Sequence, residues 1–152
     1  MIQFDNISNE VPFTIFKDKY DDALSSNQSN PEAVCISSYC MSRGEVNSRF
    51  VNCKILDGDK FIFFSNYKSP KASEFSLHEK ISAVFYWNSI NTQIRIKASI
   101  QKTNIKFNKN YFKNRSIKKN ALAISSKQSQ PIKSYDEVIK KFERSLINNN
   151  LL

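Results

Sequence analysis

The apolar positions switch between a helical period and a strand period, and the switches mark out the elements. Phe13, Phe16, Tyr20 and Leu24 recur at i, i+3, i+7 and i+11, so residues 11–24 predict a helix with one apolar face. Pro12 suits its first turn. The polar stretch SSNQSNP (25–31) predicts a loop, and strands follow. Residues 33–39 (AVCISSY) form a short β-prone run, Arg43-Gly44 predicts a turn, and residues 46–56 predict a longer second strand. Asp57-Gly58 is a hairpin signal, and residues 60–65 (KFIFFS) predict the third strand. Ser69 as N-cap and Pro70 at the first helical position predict a helix through Ala72, Phe75 and Glu79. Residues 81–87 (ISAVFYW) predict a fourth strand.

Residues 93–102 carry the clearest period of two. Ile94, Ile96, Ala98 and Ile100 face one side, while Gln93, Arg95, Lys97, Ser99 and Gln101 face the other. Beyond them, Phe107, Tyr111, Phe112 and Arg115 share a helical face, and residues 122–126 read as a short strand or turn. Ser134 and Glu137 form a capping box ahead of a helix that buries Val138, Phe142 and Leu146. The order predicts an α+β chain on an antiparallel sheet of about six strands, which closes into a barrel to remove its edges. With no repeat and no linker, residues 1–152 read as one domain.

Composition narrows the class. No apolar run is long enough to span a bilayer, and the first residues, MIQFDNISNEVPF, lack a basic n-region followed by an apolar stretch. The expectation is a cytoplasmic protein that does not engage membranes. Cys35, Cys40 and Cys53 lack metal-ligand spacing and only one histidine is present, so the cysteines read as small buried thiols and no metal is expected. The chain carries a net charge of +9, and its distribution matters more than its sum. Between Glu79 and Asp136 there is no carboxylate, yet twelve lysines and arginines. Such a stretch suits an anion, with phosphate on a small molecule or on nucleic acid as the two candidates. Surface lysine in a composition rich in Asn, Lys, Ile and Ser is the plainer alternative.

Individual residues add chemistry. Ser69, Pro70 and Lys71 open a helix, where free N–H groups, a hydroxyl and an ammonium suit a phosphate; an ordinary capped helix is the plainer alternative. Arg49 and Lys54 lie on the long strand, on opposite faces if it is regular; a bulge between them, or a barrel rim, brings both to one site. Gln93, Gln128 and Ser129 offer amides and a hydroxyl able to read a heterocycle edge. Tyr111 and Arg115 project together from one helix, suited to a phosphate ester or simply to packing. No nucleophile constellation, metalloprotease motif or P-loop is present, and two glycines exclude a Rossmann fingerprint. Catalysis by this chain therefore relies on a cofactor.

These segments occur in a known order. RFVNCK (49–54), FFSNYKSPKA (63–72), NTQI (91–94), YFKNR (111–115) and SKQS (126–129) resemble the successive blocks of the pyridoxamine 5'-phosphate oxidase family, over roughly residues 12–143. The resemblance implies a six-stranded FMN-binding split β-barrel with flanking helices, and a homodimer with flavin at its interface. It implies that Arg49 and Lys71 hold the FMN phosphate, and that Phe50, Val51, Asn52 and Lys54 run beside the flavin. Phe64, Ser65 and Ser69 lie near it, while Gln93, Gln128 and Ser129 complete the contacts, some from the partner subunit. Lys54, Tyr111, Arg115 and Lys119 match positions that hold the phosphate of a small-molecule substrate. The implied activity is flavin-mediated oxidation of a phosphorylated B6 vitamer or similar molecule, with no catalytic side chain. Pro70 stands where the family usually has Arg, and Lys119 where it usually has Ser. The sequence ends at Leu152, before the position where the family supplies a Trp and an Arg to the flavin and an R-x-H pair to the substrate, so FMN binding is expected to outlast efficient B6 oxidation. The alternatives are an FMN-binding protein or flavin reductase without B6 activity, and a basic domain binding single-stranded nucleic acid. Against the last, Phe107 and Phe112 read as core and no nucleic-acid motif is present.

Overall fold

A computed structural model describes residues 1–125 and 131–149. Gln128, Ser129 and the SKQS block lie outside the described residues. The chain divides into two compact units, Met1–Ile100 and Gln101–Leu152.

The first unit holds the sheet. Its elements are β1 (Gln3–Asp5), α1 (Val11–Ser25), β2 (Ala33–Cys40), β3 (Glu45–Asp57), β4 (Lys60–Phe63), α2 (Pro70–Leu77), β5 (Lys80–Trp87) and β6 (Thr92–Ser99). A 3-10 turn, Asn88–Ile90, joins the last two strands. The strands run in the order β1-β3-β2-β5-β6, with β4 also paired to β3. β3 is long enough to serve two partners in succession. Its first part pairs antiparallel with β2 from Glu45 to Asn52, and its last part pairs with β4 and β1. This handover splits the sheet. The expectation of an all-antiparallel, closed barrel is corrected in two respects: β1 runs parallel to β3, and among the described residues the sheet does not close.

Turn chemistry fixes the register. Asp57 pairs with Lys60, so the two-residue loop is Gly58-Asp59, one residue later than the sequence predicts. Gly58 takes φ +61°, the left-handed conformation that such a loop requires. Gly44 does the same between β2 and β3, at φ +65°.

The core lies between α1 and one sheet face. Phe16, Tyr20, Leu56, Phe85 and Trp87 are almost fully buried. Phe16 meets Phe85 edge to face at 5.1 Å between centroids and Trp87 at 5.6 Å, geometries that add to plain burial. The polar tips are satisfied: the Trp87 indole N–H donates to Pro31 O at 2.8 Å, and Tyr20 OH accepts from Ile2 N at 2.7 Å. The latter bond anchors the N-terminal strand. β6 shows the predicted alternation, with Ile94, Ile96 and Ala98 half-buried and Gln93, Arg95 and Lys97 exposed.

The second unit is helical: α3 (Ile105–Lys113), α4 (Ile117–Ser125) and α5 (Tyr135–Asn149). Residues 122–125 are the end of α4, so the short strand or turn expected there is a helix. Its N-terminus is capped by Ser116, whose Oγ accepts from Lys119 N, and Ala121 is fully buried. The predicted capping box is half realised, with Glu137 N donating to Ser134 Oγ at 3.2 Å.

Candidate functional site

α2 and the middle of β3 bring Arg49, Glu74 and Lys71 into one electrostatic cluster. Arg49 sits on β3 opposite Ile36, hence on the core-facing side of the sheet. Its guanidinium cannot enter the apolar layer and turns to α2. There Nη2 donates to Glu74 Oε2 at 2.7 Å, and Nη1 donates to Ser38 Oγ at 2.6 Å. Ser38 Oγ in turn donates to Glu74 Oε2 at 2.5 Å, and Asn47 Nδ2 donates to Glu74 Oε1 at 2.9 Å. The Glu74 side chain retains 5% exposure and that of Arg49 21%. Burial alone would push the Glu74 carboxyl up. The hydrogen bonds from Ser38 and Arg49, the Arg49 charge and the Asn47 amide outweigh it and hold the carboxyl below its ordinary range.

Lys71 completes the cluster. It lies in the first turn of α2, half-buried, with Nζ 3.3 Å from the Oγ of buried Ser69. Burial lowers its ammonium pKa and the nearby Arg49 charge lowers it further, while Glu74 works the other way. Two cations therefore share one electrostatic neighbourhood at α2, Lys71 in its first turn, where N–H groups and the helix dipole add positive potential, and Arg49 against Glu74 further along. A few residues upstream, Ser65 Oγ is buried without a hydrogen-bond partner. A buried hydroxyl without a partner costs free energy unless a ligand supplies one. A half-buried cation pair beside serine hydroxyls is a donor set fit for a phosphate ester.

The other predicted residues fall in several places. Phe50 is 74% exposed and Asn52 is exposed, on the sheet face away from Arg49, while Val51 is half-buried on Arg49's face. Phe64 is half-buried just after β4. Lys54 occupies a β-bulge: β3 gains one residue between Cys53 and Ile55, and Lys54 is the extra one. The bulge does not bring Lys54 to Arg49's site. Its Nζ lies 3.4 Å from Glu32 Oε1, which also accepts from the Met1 ammonium at 3.1 Å. Burial would raise the Glu32 carboxyl; a backbone N–H, the N-terminal ammonium and Lys54 lower it on balance. Gln93 pairs with Tyr86 on the exposed face, so the structure does not join it to Arg49 and Lys71 within one chain.

In the second unit, the Arg115 guanidinium lies 6.0 Å over the Tyr111 ring and 5.9 Å over that of Phe112. Burial raises the Tyr111 phenol pKa and the Arg115 charge opposes it. Phe112 is exposed rather than core, and Lys119 is exposed on α4. Sequence reasoning missed Glu74 and Ser38. The available signal for Glu74 was a carboxylate three residues after Lys71 on one helix, and for Ser38 an inward-facing hydroxyl on an apolar strand face.

The family pattern described as pyridoxamine 5'-phosphate oxidase matches residues 16–147. The chain belongs to that family. Among its curated relatives, the pyridoxine/pyridoxamine 5'-phosphate oxidase of Colwellia psychrerythraea is 39% identical over 134 residues, covering 88% of this chain and 61% of the relative. That of Hydrogenovibrio crunogenus is 32% identical over 135 residues, covering 89% and 62%. The chain thus spans about three fifths of the length of the oxidases it matches. Among solved structures, PhzG from Burkholderia lata in complex with tetrahydrophenazine-1-carboxylic acid superposes with a TM-score of 0.83 at 22% identity, over 90% of this chain and 67% of that one. A pyridoxamine 5'-phosphate oxidase-related, FMN-binding protein from Nostoc punctiforme gives 0.64 at 13%, over 82% and 70%. These likenesses establish the fold as the split barrel of the pyridoxamine 5'-phosphate oxidase family, open here and mostly antiparallel.

Proposed function

We propose that this chain is an FMN-binding flavoprotein, an oxidoreductase of the pyridoxamine 5'-phosphate oxidase type that works as a homodimer. The carrying observation is that Arg49 packs against α2 through Glu74 while Lys71, beside Ser69, lies in the first turn of the same helix close enough to feel the Arg49 charge. Arg49 and Lys71 would hold the FMN phosphate, and Ser65 and Ser69 would supply hydroxyls. When bound, the flavin supplies hydride-accepting chemistry that no side chain of this chain offers. The protein's own part is to bind, to orient and to exclude water. Gln93 lies across the sheet from Arg49, so a second copy is the source of its amide for the same flavin. Tyr111, Arg115 and Lys119 are the candidates for a substrate phosphate.

A second reading keeps the flavin and drops the B6 substrate. It is favoured by Lys54, whose ammonium is engaged by Glu32. The spectrum of the protein as purified tests the shared part of both. Flavin absorbance near about 450 nm, with FMN identified by mass after denaturation, is the expected result. Protein that stays colourless after FMN addition, yet binds oligonucleotides with steep salt dependence, refutes it in favour of a nucleic-acid role. Oxygen-dependent formation of pyridoxal phosphate then separates the two readings. Bound FMN with a silent B6 assay selects the second.

A further inference from the structure

We propose that Glu74 is a positioning residue for the phosphate clamp: it fixes the Arg49 guanidinium so that its remaining donors face the ligand, and thereby sets the preference for a phosphorylated flavin. The inference rests on the phosphate-site reading above and adds a residue and a role to it. Glu74 is buried at 4% exposure, although a carboxylate on an eight-residue surface helix has every opportunity to reach water. It is held there by Ser38, Asn47 and Arg49 donating to its two oxygens.

The geometry constrains Arg49 at both terminal nitrogens. Nη2 is tied to Glu74 and Nη1 to Ser38, while Ile36 O lies at 3.5 Å from Nη1. Of five N–H donors, the Nε–H and one Nη2–H take no acceptor among the described residues. An arginine on a strand otherwise keeps several rotatable bonds whose freedom must be lost when an anion binds. With Glu74 in place that loss has already occurred. The carboxylate also repels an incoming phosphate. Its charge is met by three donors, so orientation outweighs repulsion.

The test is the ratio of riboflavin to FMN dissociation constants, which isolates the phosphate from the ring. It is measured by flavin fluorescence quenching in the full chain. Glu74→Ala lowers the ratio by about tenfold, the scale of one charge-assisted hydrogen bond, and leaves riboflavin affinity unchanged. Glu74→Gln, whose carbonyl still accepts from Arg49 and Ser38 once the Asn47 amide turns, keeps the ratio within about threefold of the parent. Ser38→Ala releases only Nη1 and lowers the ratio by about threefold; it replaces Glu74→Ala should that variant not fold. An unchanged ratio overturns the proposal. So does an equal loss of both flavins, which is the mark of a scaffold role, or a gain in FMN affinity, which is the mark of repulsion. Glutamine failing as badly as alanine overturns it as well, since placement would then count for nothing. A parent protein that binds both flavins equally fails the phosphate-site reading itself, an outcome distinct from these.

Discussion

Replacing Arg49 by alanine removes the only cation that the described residues pair with buried Glu74. Breaking a buried ion pair from one side costs about 3–5 kcal/mol, because the remaining charge is left in a poor solvent. Here Arg49 keeps 21% exposure and Glu74 keeps hydrogen bonds from Ser38 and Asn47, which brings the expected loss to about 2–3 kcal/mol. That is a substantial share of the roughly 5–15 kcal/mol by which a domain is stable. The pH dependence identifies the cause. In the parent protein the folded-state carboxyl lies below its ordinary 4.5, so its contribution is present above that value and is lost as pH falls through the folded-state pKa. In Arg49→Ala, burial is opposed by the Ser38 and Asn47 donors and the Lys71 charge without the Arg49 pair, so the folded-state carboxyl lies higher than in the parent. The variant therefore lacks stabilisation that the parent holds with Glu74 ionised, and protonation of Glu74 relieves part of that difference. Urea unfolding at about pH 7.5 and about pH 5 measures both terms, with an unchanged denaturant slope as the check on two-state behaviour. The gap between parent and variant is largest at the higher pH and narrows at the lower. A loss under about 1 kcal/mol, or one equal at both pH values, refutes the reasoning.

Lys71→Ala weakens FMN binding by roughly 1.5–3 kcal/mol and leaves the fold as stable or slightly more so, because burial and Arg49 both work against its charge; unchanged FMN affinity by titration removes Lys71 from the site. Tyr111→Phe spares FMN and weakens only the phosphorylated substrate, as read from KM in a flavin-reduction assay, and loss of flavin contradicts that division of roles. Gly58→Ala costs about 1–2 kcal/mol in urea unfolding, all of it conformational, since an added Cβ meets nothing nearer than Asn6 O at 3.9 Å while φ stays at +61°. A neutral Gly58 substitution shows that the loop relaxes.

The parts of the fold that were legible are those where one face of an element meets the core. β6 announced itself because every second residue is apolar, and α1 because Phe13, Phe16 and Tyr20 share a face. β1 was not legible. Three residues, QFD, carry no period, and the strand exists only because Gln3–Asp5 finds the end of β3 some fifty positions along the chain. The α4 error has a different origin. The run LAIS has a β-prone look in isolation, but Ser116 caps the helix upstream and Ala121 is buried within it, so tertiary packing outvotes local preference. At the site, the family spacing assigned Arg49 and Lys71 to one phosphate, and in the structure the Arg49 charge acts on Lys71. Glu74 escaped because a carboxylate beside two cations expected to hold a phosphate looks out of place until its three donors are seen.

The two sheet faces carry the argument for a second copy furthest. Ile36, Arg49, Ala83 and Ile96 lie in one register row across β3, β2, β5 and β6, and that row faces the core. The neighbouring row is Phe50, Cys35, Val84 and Arg95, and it faces outward. Gln93 and Tyr86 belong to the outward face as well, two residues further along their strands. Because strand side chains alternate, no small adjustment moves Gln93 to the side of Arg49; only a one-residue slip of the whole strand would, and that would expose Ile94 and Ile96. Phe50 at 74% exposure, Val46 at 66% and Tyr86 at 60% are exposed on that outer face, interleaved with Ser48, Arg95 and Lys97. The divided site is the reason a homodimer is proposed: within one chain Gln93 and Arg49 stay on opposite sheet faces, so a monomer that binds FMN as tightly as any assembled form refutes it.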